Sequence, residues 1–275
     1  MRYVSTRGSA PVLGFADVVL AGLANDGGLY VPESWPTLAS HLGATYPELA
    51  AGVFAPYVGD DIAADTMLRL CREAYATFRH PDVVPIVDLE PGHHLMELFH
   101  GPTLAFKDVA LQLLGRLFDH ILTERQQKVT IVGATSGDTG SAAIDGVKDC
   151  ANINIVILYP EGRVSEVQRR QMTTVNSPNV RTVAIDGTFD DCQDLVKAMF
   201  NHAEFREAQN LSAVNSINWA RVMAQVVYYV EATRRVGGPI DVTVPTGNFG
   251  NVLSGWIAKQ MGAPLRRLIV ASNDN

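Results

Sequence analysis

The stretch Val129-Thr130-Ile131-Val132-Gly133-Ala134-Thr135-Ser136-Gly137-Asp138-Thr139-Gly140-Ser141 carries the main architectural signal. An apolar β-branched run ends in small residues, and an amphipathic pattern follows over Thr139–Val147. That is the signature of a strand entering a helix through a tight loop. The same alternation extends outward. Upstream lie the β-rich run Val83–Val87 and the helical pattern Lys107–Leu122, where Val109, Leu113, Leu117 and Ile121 recur every fourth residue. Downstream come Ile153–Leu158, Ser165–Val175, Val180–Ile185, Phe189–His202, Trp219–Val236, Ile240–Val244 and Phe249–Met261. Strands alternating with helices predict parallel sheets flanked by helices, an α/β fold, and the continuous apolar strands predict cover on both faces.

The first 80 or so residues read as mixed α and β. They carry a turn signal at Asn25-Asp26-Gly27-Gly28 and a helix over about Ile62 to Phe78 that Asp60 or Asp61 would cap. The final run Arg267–Ala271 reads as a buried strand at a point where an α/β chain starts another loop and helix. The expectation is therefore a C-terminally truncated chain whose last strand lacks neighbours.

With 275 residues, of which 47% are hydrophobic and 19% charged, the composition is that of a packed globular protein. The net charge of −7, with basic residues only in short pairs such as Arg169-Arg170, argues against nucleic acid as a partner. Three widely spaced cysteines, Cys71, Cys150 and Cys192, suggest neither a disulfide framework nor a zinc site, and fit a reducing, cytoplasmic setting. His93, His94 and His100 lack the spacing of a metal-binding motif, so no metal is expected. No apolar run approaches the ~18 residues of a membrane span.

Chemistry concentrates in the strand-to-helix loops, where ligands of parallel sheets sit. Thr135, Ser136, Gly137, Asp138 and Thr139 form one such loop, whose small residues and helix-start amides suit an anion; the plainer reading is an ordinary turn capped by Asp138 or Thr139. Gly247, Asn248, Phe249, Gly250 and Asn251 form a second, which suits a phosphate held by backbone amides or is simply a glycine-rich turn. Ser216, Asn218 and Arg221 open the helix from Trp219, as anion donors or as a capped helix start with a solvated arginine.

The segment Phe99-His100-Gly101-Pro102-Thr103-Leu104-Ala105-Phe106-Lys107-Asp108 delivers one lysine to a helix N-terminus, where the macrodipole opposes its charge. That placement favours a nucleophilic amine able to form a Schiff base. A surface lysine paired with Asp108 is the alternative.

Taken together, Pro102–Asp108, Thr135–Gly140, Asn215–Arg221 and Gly247–Asn251, with the N-terminal Tyr3–Gly8 and Asp26–Pro32, resemble the threonine synthase family, in its long-chain branch of bacteria and yeast. The resemblance implies a fold-type II, tryptophan synthase β-like architecture. It also implies an N-terminal region (1–80), a large domain (81–107 and 213–275) lacking part of its sheet, and a small domain (108–212). It implies pyridoxal 5′-phosphate as cofactor and a carbon–oxygen lyase acting on phosphate, which converts O-phospho-L-homoserine and water into L-threonine and phosphate as a monomer or homodimer. Lys107 would form the Schiff base, and Gly247, Asn248, Phe249, Gly250 and Asn251 would cradle the cofactor phosphate. Thr135, Ser136, Gly137, Asp138 and Thr139 would hold the substrate carboxylate, with the Asp138 side chain turned towards helix amides or the cofactor side. Ser216, Asn218 and Arg221 would hold the substrate phosphate. A serine or threonine dehydratase-like lyase and a non-catalytic relative that binds the cofactor or phosphate are the competing assignments.

Overall fold

The computed structural model describes residues 1–135, 137–212 and 218–273. The chain divides into two units, one made of Met1–His100 with Ser216–Asn275 and the other of Gly101–Asn215.

The second unit contains the strand-loop-helix that dominates the sequence. Its elements are α4 (Asp108–Arg125), β5 (Val129–Ala134), α5 (Asp138–Val147), β6 (Ile153–Pro160), α6 (Glu166–Thr173), β7 (Val180–Ile185), α7 (Phe189–Asn201), α8 (Ala203–Ala208) and β8 (Leu211–Ser212). The strands lie side by side in the order β7-β6-β5-β8, all parallel, with Ile131 opposite Ile155 and Ile155 opposite Val180. This is the helix-flanked parallel sheet that the alternation predicts. On one side Val132, Leu158 and Cys192 form a buried cluster with Ala134, Val156, Val196 and Phe200. Helices α4 and α5 cross at glycines. A Cβ on Gly115 would fall 1.9 Å from the Gly146 carbonyl oxygen, and one on Gly146 would fall 2.5 Å from that of Leu111. Only hydrogen at these two positions permits the crossing, and the crossing sets where the N-terminal ends of both helices stand.

The first unit contains the remaining elements. They are β1 (Tyr3–Ser5), α1 (Phe15–Ala21), β2 (Tyr30–Pro32), α2 (Tyr46–Val58), α3 (Ala64–Tyr75), β3 (Ile86–Glu90), β4 (His93–Met96), α9 (Trp219–Val236), β9 (Ile240–Pro245), α10 (Gly250–Gln260) and β10 (Leu265–Ala271). Helix α9 is the axis of this unit. Every residue from Trp219 to Thr233 is buried, the polar Arg221, Gln225 and Glu231 among them. At its start the Trp219 ring meets those of Tyr57 (5.3 Å), Tyr3 (5.9 Å) and Trp35 (6.1 Å), which fastens the N-terminal strands to the helix. At its end the fully buried Glu231 accepts from Arg234 and Arg235, while Arg235 reaches Asp82 at 2.7 Å and Arg234 reaches the Gly43 carbonyl.

Two expectations are corrected. Asp60 and Asp61 do not cap α3, whose N-cap is Ala63; Asp61 accepts instead from the Ala16 amide at the start of α1. Strand β10 is not buried. It pairs with β9 in parallel, and Ile269 and Val270 are 42% and 43% exposed. The physical reason is that β9 and β10 form a two-stranded sheet among the described residues, and α10 leaves those side chains uncovered.

Candidate active site

In the second unit, Gly101-Pro102-Thr103 wraps around Asp108. The fully buried Asp108 carboxylate accepts the Thr103 amide (2.8 Å) and hydroxyl (2.7 Å), and Gly101 has no room for a Cβ against it. Burial raises the Asp108 carboxyl above its ordinary range, and the two Thr103 bonds only partly offset this. Gln171 on α6 ties the Thr103 carbonyl down at 2.9 Å. The result is a fixed turn that places Lys107 at the N-cap of α4.

Asp108 is thus engaged with Thr103, and the partner of Lys107 is Asp138. The lysine Nζ lies 2.5 Å from Asp138 Oδ2 and 5.4 Å from the Phe106 ring centre. Asp138 stands in the first turn of α5, so the side chain turns to the lysine rather than to helix amides.

The turn before α5 is shaped by Thr135. Its hydroxyl accepts the amides of Gly137 (3.0 Å) and Gly140 (2.9 Å), so these two N–H groups are engaged within the turn. Gly137 has φ +147° and lies against Gln168, while a Cβ on Gly140 would strike Thr135. Thr139 is half-buried in the same helical turn. Ser136 lies outside the described residues.

In the first unit, β9 runs into Thr246-Gly247-Asn248-Phe249, and Phe249 has φ +57° as the N-cap of α10. The space beside Gly247 is open, with nothing within 4 Å of where a Cβ would stand. Positive φ at Phe249 and helical residues from Gly250 onward present successive N–H groups at a helix start, which favours an anion there. Asn251 in the first turn of α10 accepts from Tyr228 (2.5 Å) and Tyr229 (2.8 Å) of α9. The sequence pattern does not single out either tyrosine; the only signal is a pair of adjacent phenols in the apolar stretch Val226–Val230.

Asn218 is fully buried and engaged at both ends. Its Oδ1 accepts the Ala220 amide as the N-cap of α9, and its Nδ2 donates to the Val19 carbonyl of α1. Arg221 is buried in the first turn of the same helix, at 2% exposure, adding its charge to the positive helix end. Ser216 lies outside the described residues.

Comparison with known proteins adds the decisive observation. Residues 90–275 match the family described as pyridoxal-phosphate dependent enzyme, and residues 2–75 match the threonine synthase N terminus. The chain belongs to the pyridoxal-phosphate dependent enzyme family. Among its relatives is the threonine synthase of Pseudomonas aeruginosa, 54% identical over the whole of this chain and 60% of that protein. The crystal structure of the pyridoxal-phosphate-bound threonine synthase from Brucella melitensis matches with a TM-score of 0.97 at 54% identity, covering 100% of this chain and 61% of that one. The yeast threonine synthase structure matches with a TM-score of 0.92 at 42% identity, covering 99% and 58%. The chain therefore spans about three fifths of the length of the relatives it matches. The architecture is that of the fold-type II members of the pyridoxal-phosphate dependent enzymes.

The residues present fit the cofactor of a pyridoxal-phosphate dependent enzyme. An aldehyde needs a primary amine held in place, and Lys107 is held by the Thr103–Asp108 turn and by Asp138. A phosphate needs unhindered donors, which the open side of Gly247 and the helix start after Phe249 offer.

Proposed function

We propose that this chain supplies the cofactor- and substrate-binding part of a threonine synthase. That activity is a carbon–oxygen lyase reaction converting O-phospho-L-homoserine and water into L-threonine and phosphate, performed in the cytoplasm by a monomer or homodimer. The observation that carries the reading is the geometry at Lys107, a lysine at a helix N-cap with a carboxylate at 2.5 Å, in a chain 54% identical to a named threonine synthase.

Pyridoxal 5′-phosphate, when bound, supplies an electron sink for breaking bonds at the substrate's α- and β-carbons. Lys107 would hold it through Nζ, and Gly247, Asn248, Phe249, Gly250 and Asn251 would hold its phosphate. When its amine is free, Lys107 Nζ takes the Cα proton and returns protons to the substrate carbons, which calls for an amine fixed within reach. Asp138 orients that amine and balances its charge. The loop Thr135, Ser136, Gly137, Asp138 and Thr139 would bind the substrate carboxylate with the Asp138 side chain kept on Lys107 and the loop's shape held by the Thr135 hydroxyl, which takes the Gly137 and Gly140 amides. Ser216 and Arg221 would bind the substrate phosphate, Arg221 as a cation in the first turn of α9, while the buried Asn218, engaged with Ala220 and Val19, would act by fixing the start of that helix. Two anion-binding segments, one for each charged group of the substrate, would convert binding into orientation.

The test is to load the protein with cofactor and supply O-phospho-L-homoserine. Equal release of phosphate and L-threonine is expected, with both lost, along with the cofactor absorbance, in Lys107→Ala. Ketoacid release from L-threonine without phosphate chemistry would assign a dehydratase instead. Cofactor absorbance retained by Lys107→Ala would overturn the role of the lysine.

A further inference from the structure

Tyr228 and Tyr229 are consecutive on α9, so their side chains leave the helix about 100° apart. Both nevertheless end on one atom, Asn251 Oδ1, at 2.5 and 2.8 Å. The convergence needs room, and Gly255 provides it. A Cβ there would stand 2.8 Å from Tyr229 Cε1 and 2.9 Å from its Cζ, so the Tyr229 ring lies across α10 one turn after Asn251 only because residue 255 has no side chain. Ser254 fixes the same helix pair by donating to the Val222 carbonyl of α9 at 2.9 Å. Both phenols are buried, and burial raises them further above their ordinary range, so each remains a neutral donor.

An amide oxygen has two lone pairs, and two phenols occupy both. What remains of the Asn251 side chain to meet a ligand is its Nδ2, with two N–H donors, in the first turn of α10 beside Phe249 and Gly250. We propose that Tyr228 and Tyr229 are positioning residues that lock Asn251 with its amide N–H groups free for a ligand, which makes the turn at residues 247–251 a donor site for a phosphate monoester. Without the phenols the amide can rotate and present an oxygen, which repels an anion. The inference rests on the reading that this turn receives the cofactor phosphate, and it adds residues outside the turn that act through Asn251.

The experiment compares dissociation constants for pyridoxal 5′-phosphate and for pyridoxal, which lacks the phosphate, by equilibrium dialysis on the whole protein and its variants. Tyr228→Phe and Tyr229→Phe, singly and together, keep the ring packing and remove the donors. The double variant is expected to bind pyridoxal 5′-phosphate on the order of tenfold more weakly, as expected for a misdirected bond to a charged group, while pyridoxal binding is unchanged. Gly255→Ala, which touches no polar group, is expected to weaken phosphate-dependent binding in the same way by displacing Tyr229. Asn251→Asp, which still accepts from both phenols but offers no N–H, is expected to lose at least as much as Asn251→Ala.

Unchanged pyridoxal 5′-phosphate binding in the tyrosine variants, alongside a loss in Asn251→Ala, would overturn the positioning role and leave the turn as the phosphate site. No loss in Asn251→Ala would overturn both. Equal weakening of pyridoxal and its phosphate would show that the phenols act on packing alone, and would also overturn the proposal. Should the double variant fail to fold, Tyr229→Phe alone decides between the same outcomes.

Discussion

Lys107 Nζ and Asp138 Oδ2 lie 2.5 Å apart, joining the N-cap of α4 to the first turn of α5 across 31 residues of sequence. Both residues sit at positive helix ends, where an anion is favoured and a cation is not, so the carboxylate has two reasons to be there. Replacing Asp138 with Asn keeps the size and leaves the amine without a counter-charge. The expected outcome is a fall in turnover of roughly 10²-fold, at the lower end of what a positioned proton-transfer group contributes. The thermal unfolding midpoint should change little. Full turnover in the variant would show that the pair serves only the fold.

The geometry of that pair depends on the crossing of α4 and α5 at Gly115 and Gly146. Gly115→Ala places a methyl 1.9 Å from a backbone carbonyl oxygen, and no rotamer change can relieve a clash with backbone. The expected cost is about 3 kcal/mol, at the upper end for overpacking, read as a shift in the urea unfolding midpoint. Gly133→Ala meets only the flexible end of Ile157, at 3.4 Å, and should cost about 1 kcal/mol or less. Equal effects of the two changes would refute the crossing as the tight point.

What was legible in the sequence follows from local pattern. Strand β7 and helix α9 have the predicted ends, Val180–Ile185 and Trp219–Val236, because apolar runs and their flanking polar residues coincide there. Helix α2 was not read, since Pro56 lies inside it and Ala51 and Ala55 off the buried face blur the stripe of Tyr46, Leu49, Val53, Phe54 and Tyr57. Its one signal was Thr45-x-x-Glu48, where the Glu48 carboxylate accepts the Thr45 amide. At the site, Lys107 stood out because a lysine at a helix start is misplaced by charge. The partner of Lys107 and the two phenols on Asn251 were not legible, because each depends on how one helix packs on another.

The turn Asn25-Asp26-Gly27-Gly28 offers a test by pH. Burial pushes the Asp26 carboxyl upward, but four hydrogen bonds outweigh it and hold the group below its ordinary 3.8. The donors are Gly28 N (2.8 Å), Ser5 Oγ (2.7 Å), Ser9 N (3.0 Å) and Ala10 N (2.9 Å). A carboxyl depressed on folding contributes stability above its unfolded pKa and loses it as pH falls through the folded one. Asp26→Asn should therefore lower the unfolding midpoint at neutral pH and flatten the decline of stability below about pH 4. Parallel curves for the two proteins over that range would exclude Asp26 as a contributor.

Glu231 is the one carboxylate on α9, and it is fully buried while accepting from Arg235 at 2.6 Å and Arg234 at 2.7 Å. Removing one member of a buried pair costs about 3–5 kcal/mol when the other charge is stranded. Here both arginines are about a third exposed and keep other partners, Asp82 for Arg235 and the Gly43 carbonyl for Arg234, so their charges can be rehydrated. Glu231→Gln should therefore cost about 2 kcal/mol, below the full penalty. Glu231→Leu, which leaves no polar atom to satisfy, should cost no more than the glutamine, since an unsatisfied buried amide is itself penalised. A loss with leucine that clearly exceeds that with glutamine would mean that the arginines need an acceptor at this position, and that the end of α9 is held by charge rather than by packing.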